Sequence, residues 1–345
     1  MLKSVELQNF RSHLKATFDL ANLTLIVGPN GVGKTNILEA ISLASTTRSW
    51  RTKSDVEVIN FSQNFAKVVA DEVVVVVHKN PYRKEYAVSG VRRKAKEVIG
   101  TIKTVLFEPE DLLLILGSPA VRRHFLNVVL SQSDRNYGEN LLQYGQVITQ
   151  RNKLLKGIRE HQNTDSELNF WDKELSKLSA QIWATRSAFL NLLQNELPQH
   201  YHSLSQDNSV ITIKHETHPA DTEHMEEELV AVREREVMLG QTVRGPHRDD
   251  FVISFNGVPA RSCASRGEVR SLIFALKMVE LDYLSGQKDA EDVVLLLDDV
   301  MSELDHDRRN RLVEVASSVQ TVITTTDLAH VPQDWRNQAK IIELK

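Results

Sequence analysis

Two groups of residues in this chain have the types and spacing to handle a phosphate. The first is Gly28-Pro29-Asn30-Gly31-Val32-Gly33-Lys34-Thr35, of the form G-x-x-x-x-G-K-T. Glycines at these positions let the backbone curl so that successive N–H groups face phosphate oxygens. Lys34 can then reach the β- and γ-phosphates, and the Thr35 hydroxyl can ligate Mg²⁺. An apolar run, Leu23 to Val27, precedes the loop, and Asn36 to Ile41 follows with helical spacing. That is the strand–loop–helix context of a phosphate-binding loop, where the helix adds the positive end of its dipole. A glycine-rich turn before a helix is the plainer reading, but motif and context together predict a nucleoside triphosphate, with ATP and Mg²⁺ as cofactors. The second group is Asp298-Asp299, at the end of Val293-Val294-Leu295-Leu296-Leu297. A carboxylate at the end of a buried strand, downstream of a full phosphate loop, reads as a Walker B element. Asp298 is expected to hold Mg²⁺, directly or through water. Asp299 is placed to orient or deprotonate the attacking water, which makes Lys34 and Asp299 the candidate catalytic residues.

Between these groups lies Ser265-Arg266-Gly267-Glu268, opening a helix with apolar positions Leu272, Ile273, Leu276 and Val279. Taken alone, Ser265 is a plain N-cap. Equally, a serine at a helix start with glycine two residues on offers a hydroxyl, backbone N–H groups and a dipole to a phosphate. The order along the chain favours the second reading: phosphate loop, S-x-G-E, helix, Walker B, then Ser302-Glu303-Leu304-Asp305.

These elements need a framework, and the composition supplies one. At 345 residues, with 41% hydrophobic and 26% charged, the chain is an ordinary globular protein long enough for two lobes. The formal net charge of -4 announces no nucleic acid globally, so a basic surface must be local. Met1 to Glu6 lacks the apolar core of a signal peptide, and the longest apolar runs are far too short to span a bilayer, so a cytoplasmic location is expected. Cys263, the only cysteine, excludes internal disulfides and cysteine metal cages, and reads as a partly buried small residue.

Along the chain, residues 2–10 read as a strand, and 66–89 as a valine-rich β-hairpin turning at Asn80-Pro81. The polar loop Thr46 to Lys53 is either solvated or in contact with phosphate. Between Tyr82 and Lys103 there are seven basic residues against two acidic ones. Such a run is usually a solvated face, but its one-sidedness makes a phosphate-binding patch of Arg83, Lys84, Arg92, Arg93 and Lys94. From Tyr137 the period is helical: Tyr137, Leu141, Tyr144, Ile148, Arg151, Leu155, Ile158, then Leu168, Trp171, Leu175, Leu178, Ile182, Thr185, Phe189, Leu192. Thr164 and Glu167 could form a capping box at the start of the second series. This predicts either a short antiparallel helical hairpin, ended by Leu197-Pro198, or two ordinary amphipathic helices packed in a lobe. Val210 to Lys214 reads as a strand, Thr222 to Met238 as an acidic helix, and Arg244 to Asp250 as a polar loop before the strand Phe251 to Phe255.

The motif order resembles the ABC-type ATPase superfamily, and within it the RecF family of bacterial recombination and gap-repair mediators, related to SMC heads. The resemblance runs nearly end to end. It includes Leu7-Gln8-Asn9-Phe10-Arg11, Gly28 to Ile41, Phe107-Glu108-Pro109-Glu110-Asp111-Leu112, Gly245-Pro246-His247-Arg248-Asp249-Asp250, Ser265 to Glu268, Leu295 to Asp305, and Thr324 to Asp327. It implies an α/β fold: an ABC-type ATPase head from 1–108 and 241–345, with an inserted helical lobe, 109–240, containing a short helical hairpin. It also implies an ATP-dependent homodimer that clamps DNA and works with RecR and RecO to help RecA load at single-strand gaps and stalled forks. In this resemblance Lys34 and Thr35 bind phosphate and Mg²⁺, and Asp298 binds Mg²⁺. Ser265 and Gly267 face the γ-phosphate of the partner, and Asp305 lies at the dimer seam. Asp299 stands where many such ATPases have glutamate, one methylene longer, so hydrolysis is expected to be slow, below roughly 10 per second, with ATP acting as a switch. Thr326-Asp327 falls where transporter ATPases carry a switch histidine, and the nearest histidine is His330. Basic residues of two subunits could join into one DNA groove, with Arg48, Arg51 and Arg122 as further candidates. Two alternatives are a transporter's cytosolic ATPase subunit and a head-type ATPase of another DNA-structuring complex. A third, a metabolic kinase, leaves the S-x-G-E and E-L-D elements idle. Asp282 to Asp292 lengthens the gap that a transporter subunit would have, and about 60 residues of helical hairpin are too few for a long coiled coil.

Overall fold

The structure, a computed structural model, describes residues 1–205, 208–216, 222–286, 293–302, 306–316 and 318–345. The chain divides into two compact units, Met1–Leu112 with Ser203–Gln206 and Ser271–Lys345, and Leu113–His202 with Asp207–Arg270.

The first unit holds two sheets. Strands β1 (Ser4–Phe10), β2 (His13–Asp19), β4 (Phe65–Ala70), β5 (Val73–His78), β6 (Arg83–Val88) and β7 (Val91–Arg93) form an antiparallel sheet in the order β2-β1-β4-β5-β6-β7. The second sheet is parallel: β3 (Leu23–Val27), β8 (Lys103–Phe107), β12 (Val293–Asp298), β13 (Gln320–Thr325) and β14 (Lys340–Glu343), in the order β14-β3-β13-β12-β8. β3 and β12 are nearly continuous apolar runs, as strands covered on both faces are. Alternate residues part accordingly. Ile26, Val294, Leu296 and Val322 join the cluster containing Ile37, Leu38 and Ile41 of the phosphate-loop helix (Lys34–Thr46). Leu25, Leu295, Leu297 and Ile323 join Phe274, Met278 and Leu281 of the helix Arg266–Ser285. All five strands point the same way, so the phosphate loop, Asp298 and Thr325 leave one carboxyl edge, where open α/β sheets bind ligands.

The sequence-based hairpin over 66–89 is a three-strand meander, because the chain reverses at Asp71 and Glu72 as well. Asp71 adopts φ 46°, and its carboxylate accepts the N–H groups of Lys3 and Ser4 at 2.8 Å each. Aspartate tolerates the left-handed backbone that this turn requires, which lets the chain reverse within a valine run.

The second unit is helical, with one small sheet of β9 (Ile211–Glu216), β10 (Asp250–Phe255) and β11 (Val258–Pro259). Helices Arg135–Arg159 and Leu168–His202 pack together as the expected hairpin. The expected capping box is present: Thr164 N donates to Glu167 Oε1 at 2.8 Å, in a 3₁₀ turn leading into the second helix. Two details differ. The buried stripe shifts from Thr185 and Leu192 to Arg186 and Leu193, the drift of a 3.6-residue helix against a 3.5-residue pattern. Pro198 lies inside the helix instead of ending it: a proline so near the C-terminus removes one hydrogen bond, and buried Leu197 and Tyr201 anchor the last turns. The acidic segment forms two helices, Thr222–Ala231 and Arg233–Leu239.

Sequence put the return to the ATPase lobe at 241, but residues 241–270 belong to the second unit. The reason is pairing: β10 is hydrogen-bonded to β9, and Asp250 forms an ion pair with Arg122 on the helix Pro119–Ser133. Among the described residues, no single helix is long and apolar enough to cross a membrane.

Candidate active site

The phosphate loop is built from backbone constraints. Gly31 and Gly33 adopt φ 82° and 105°, in the region that favours glycine. A Cβ at Gly33 would fall 2.6 Å from the Ser12 hydroxyl, and one at Gly28 would fall 2.6 Å from the Leu344 carbonyl. The loop thus has no room for side chains against the β1–β2 turn and the end of β14. Lys34, the first residue of the helix and buried, folds back to donate to Gly28 O at 2.8 Å and Pro29 O at 3.0 Å. Its ammonium therefore lies over the loop.

Beside the loop, the Thr35 hydroxyl donates to Asp298 Oδ1 at 2.8 Å, and the Thr324 hydroxyl donates to the same oxygen at 2.7 Å. Both donors are neutral, so the carboxylate keeps its charge for a cation. Among the described residues no group of three or more His, Cys, Asp or Glu could hold a metal ion. One carboxylate and one hydroxyl are a donor set of the kind that Mg²⁺ takes beside a substrate's own phosphates. Asp299 adopts φ 55°, and its amide donates to Thr324 Oγ1 at 3.0 Å. Burial pushes its carboxyl above the ordinary aspartate range. Lys34 opposes that shift, Asp298 adds to it, and His330 opposes it again, so all three act on Asp299.

Sequence reasoning did not find the support behind the loop. Glu39, fully buried on the phosphate-loop helix, accepts from Arg11 Nε at 3.0 Å and Nη2 at 2.6 Å. It also accepts from Ser49 Oγ at 2.5 Å and Arg51 Nη1 at 3.2 Å, and Arg51 reaches Asn36 Oδ1 at 3.0 Å. The loop Thr46 to Lys53 is thereby tied to the helix that carries Lys34 and Thr35. A lone glutamate in an alanine- and leucine-rich helix, with Arg11 upstream, was the available signal.

Ser265 and Gly267 lie in the second unit, exposed at the start of Arg266–Ser285. Ser265 N donates to Glu268 Oε2 at 2.6 Å, and Ser265 Oγ accepts from Glu268 N at 3.3 Å, which is a capping box. The cap is real, and the residues that form it remain on the surface. Glu303 to Asp305 lie outside the described residues. Cys263 is exposed, not partly buried, because it ends the short surface helix Ala260–Cys263.

The basic candidates separate. Arg92, Arg93 and Lys94 are exposed on and just after β7, and Arg93 makes one loose pair, 3.5 Å to Glu97. Arg83 donates to Glu85 at 2.8 Å. Lys84 is a correction: its ammonium is enclosed, bonded to Asp55 Oδ2 at 2.6 Å and Thr47 O at 2.8 Å, so its charge is already matched by a carboxylate. Arg122 is another. It is buried, with a bidentate hold on Asp250 at 2.7 and 2.8 Å.

Gly245 to Asp250 has a structural account within the second unit. Asp249 accepts from Trp183 Nε1 at 2.7 Å and Arg186 Nη1 at 2.8 Å, and Arg186 also donates to Pro246 O at 2.7 Å. His247 Nδ1 lies 2.6 Å from the Tyr144 hydroxyl and Nε2 3.1 Å from Thr242 O, matching a neutral ring that accepts at one nitrogen and donates at the other. Burial, with help from Arg248 and Arg123, pushes its pKa down to about 4. The motif pins both hairpin helices.

A phosphate loop on β3 and an acidic pair closing a strand of the same parallel sheet, with a helical unit inserted between them in sequence, define an ABC-type P-loop ATPase. A family model described as an AAA domain matches residues 4–235. The DNA replication and repair protein RecF of Moorella thermoacetica is 35% identical over 99% of this chain and 94% of its own length. A solved structure, of the recombination mediator protein RecF-ATP in the RecFOR pathway, superposes with a TM-score of 0.88 at 31% identity, covering 96% of this chain and 93% of that one. The Smc head domain of Pyrococcus furiosus shares the fold, at a TM-score of 0.52 and 17% identity. The chain belongs to the RecF family of DNA replication and repair proteins.

Proposed function

We propose that the chain binds ATP and Mg²⁺, dimerises on ATP, and clamps DNA during recombinational repair at single-strand gaps and stalled forks. The observation that carries this is the division of the ATP machinery. The phosphate loop and the Asp298–Thr35 pair stand at one sheet edge, while the Ser265–Gly267 helix start is exposed in the other unit. In a homodimer each chain would supply the phosphate loop to one ATP and Ser265 and Gly267 to the other.

Within one subunit the loop amides of Gly28 to Thr35 would hold the phosphates, and Lys34 would exchange its two carbonyl partners for phosphate oxygens. Thr35 and Asp298 would hold Mg²⁺, which neutralises charge on the β- and γ-oxygens when bound. Asp299 would orient the attacking water and receive its proton. A base one methylene shorter than glutamate makes hydrolysis slow, so ATP acts chiefly as a switch of association.

RecO and RecR, assisting RecA loading, are the partners that this reading implies, in the cytoplasm. DNA contact is assigned to Arg92, Arg93 and Lys94, with Arg83 beside them. Affinity for DNA measured over a salt series, with ATP and with ADP, tests this. Stronger binding in ATP is expected, and charge reversal at Arg92, Arg93 and Lys94 should flatten the log–log salt slope by about 2 to 3, at about 0.9 for each phosphate no longer neutralised. Equal affinity in both nucleotides would contradict the switch, and an unchanged slope would contradict the patch.

A further inference from the structure

Thr324 has no part in any phosphate-binding motif, yet its hydroxyl touches both acidic residues of the site. It lies on β13, completely buried, with Asp298 as its register partner on β12 and Ile26 on β3. Its Oγ1 donates to Asp298 Oδ1 at 2.7 Å and accepts the Asp299 amide at 3.0 Å. Its neighbours on the strand use their hydroxyls differently. Thr321 reaches the backbone of Ala316 and Val319, and Thr325 reaches Asp327 O. Apart from a long approach to Leu297 O at 3.4 Å, the Thr324 hydroxyl serves the two aspartates alone.

We propose that Thr324 is a positioning residue that aims the Asp298 carboxylate and holds Asp299 in its left-handed backbone conformation. Asp298 has two hydroxyl donors on one oxygen, and they are not equivalent. Thr35 is itself the oxygen ligand expected beside Asp298, so its bond to the carboxylate must be shared with the cation. Thr324 carries no such obligation, and from the centre of the sheet it fixes the carboxylate whether or not the site is loaded. The same hydroxyl accepts from an amide whose residue, at φ 55°, lies where a non-glycine backbone is unfavourable. One side chain therefore sets both the direction of the ligand carboxylate and the turn that presents the next one. Outer hydrogen-bond partners of metal ligands typically act in this way, and removing one costs about 10- to 100-fold in metal affinity or activity.

The inference rests on reading Asp298 as the Mg²⁺ ligand, so the experiment includes that residue. Thr324→Val keeps the shape and removes the hydroxyl, while Thr324→Ser keeps the hydroxyl and removes a methyl. Three quantities would be measured: hydrogen exchange at the Asp299 amide without nucleotide, Mn²⁺ affinity of the ATP complex, and ATP turnover. Thr324→Val should exchange faster at Asp299 and lose about tenfold or more in Mn²⁺ affinity and turnover, with Thr324→Ser near wild type in all three. If the valine variant does not fold, Thr324→Ala against Thr324→Ser gives the same contrast, since both lack the methyl and differ by the hydroxyl. Serine as impaired as alanine, or valine indistinguishable from wild type, would overturn the inference. Asp298→Asn separates the two claims: if it retains Mn²⁺ affinity and turnover, the reading of Asp298 fails; if it loses both while Thr324→Val does not, only the role of Thr324 fails.

Discussion

Each unit contains a cluster of polar groups around acidic residues, and the clusters are built on opposite terms. At the carboxyl edge of the parallel sheet, Asp298 is held by two neutral hydroxyls, and Lys34 donates to two backbone carbonyls. In the second unit the buried acids meet arginines: Asp249 with Arg186, Asp250 with Arg122, and Asp172 and Glu236 with Arg151. A buried carboxylate already matched by a guanidinium is scaffolding. One held only by neutral donors keeps its charge for a ligand. The Gly245–Asp250 motif is as distinctive as the phosphate loop, and the difference in partners separates a motif that fastens helices from one whose polar groups stay available to a ligand.

The contrast can be broken most sharply at Lys34. Lys34→Ala should lower ATP turnover about 100-fold or more, the scale of removing a charge-stabilising donor, while leaving the melting temperature close to wild type. Asp249→Ala should do the reverse. It leaves Arg186 buried without its carboxylate, a change that costs about 3–5 kcal/mol, so the melting temperature falls steeply while the folded fraction still binds ATP. If Asp249→Ala abolished ATP binding in folded protein, the division between scaffold and site would be wrong.

Smaller effects follow from pH, and they differ in sign. His247 titrates at about 4 in the fold against an ordinary 6.5, so the unfolded chain binds the extra proton first, and stability is lost as pH falls from 6.5 towards 4. His247→Gln should flatten that limb of a denaturation series. The first unit carries a buried group of Asp111, Lys277 and Glu280 with half-buried Glu108 beside it, and Lys277 lies 3.1 Å from Asp111 and 3.3 Å from Glu280. Burial would push Lys277 down, but Asp111 and Glu280 push it further up, so the ammonium stays charged. Burial raises Glu108 to about 8, helped by Asp111, and Glu280 to about 7, both from an ordinary 4.5. Here the folded chain holds protons that the unfolded chain has released, so stability falls as pH rises from 4.5 to 8. Glu108→Gln should lessen that slope, and an unchanged slope would remove Glu108 as its source.

The contiguous parts of the site were legible in the sequence. Eight residues from Gly28 to Thr35 carry their own backbone chemistry, and Asp298-Asp299 could be read once that loop was known. Pairings between distant positions were not legible. Arg122 and Asp250 are 128 residues apart, Lys84 and Asp55 29, and both basic residues looked free for DNA until their partners were known. Thr324 was hidden for another reason: threonine in a strand is what β-propensity alone would place there. The turn at Asp71 was masked by the valines on either side.

The most direct test of the central claim, that ATP joins two chains through Ser265, is the mass of the protein in solution. It would be measured with ATP and Mg²⁺, with ADP, and with neither, then repeated for Ser265→Arg. Twice the mass of one chain is expected only with ATP, and a single chain throughout for the variant. A single chain in every condition, or a dimer indifferent to nucleotide, would contradict the claim and leave Ser265 as a helix cap alone.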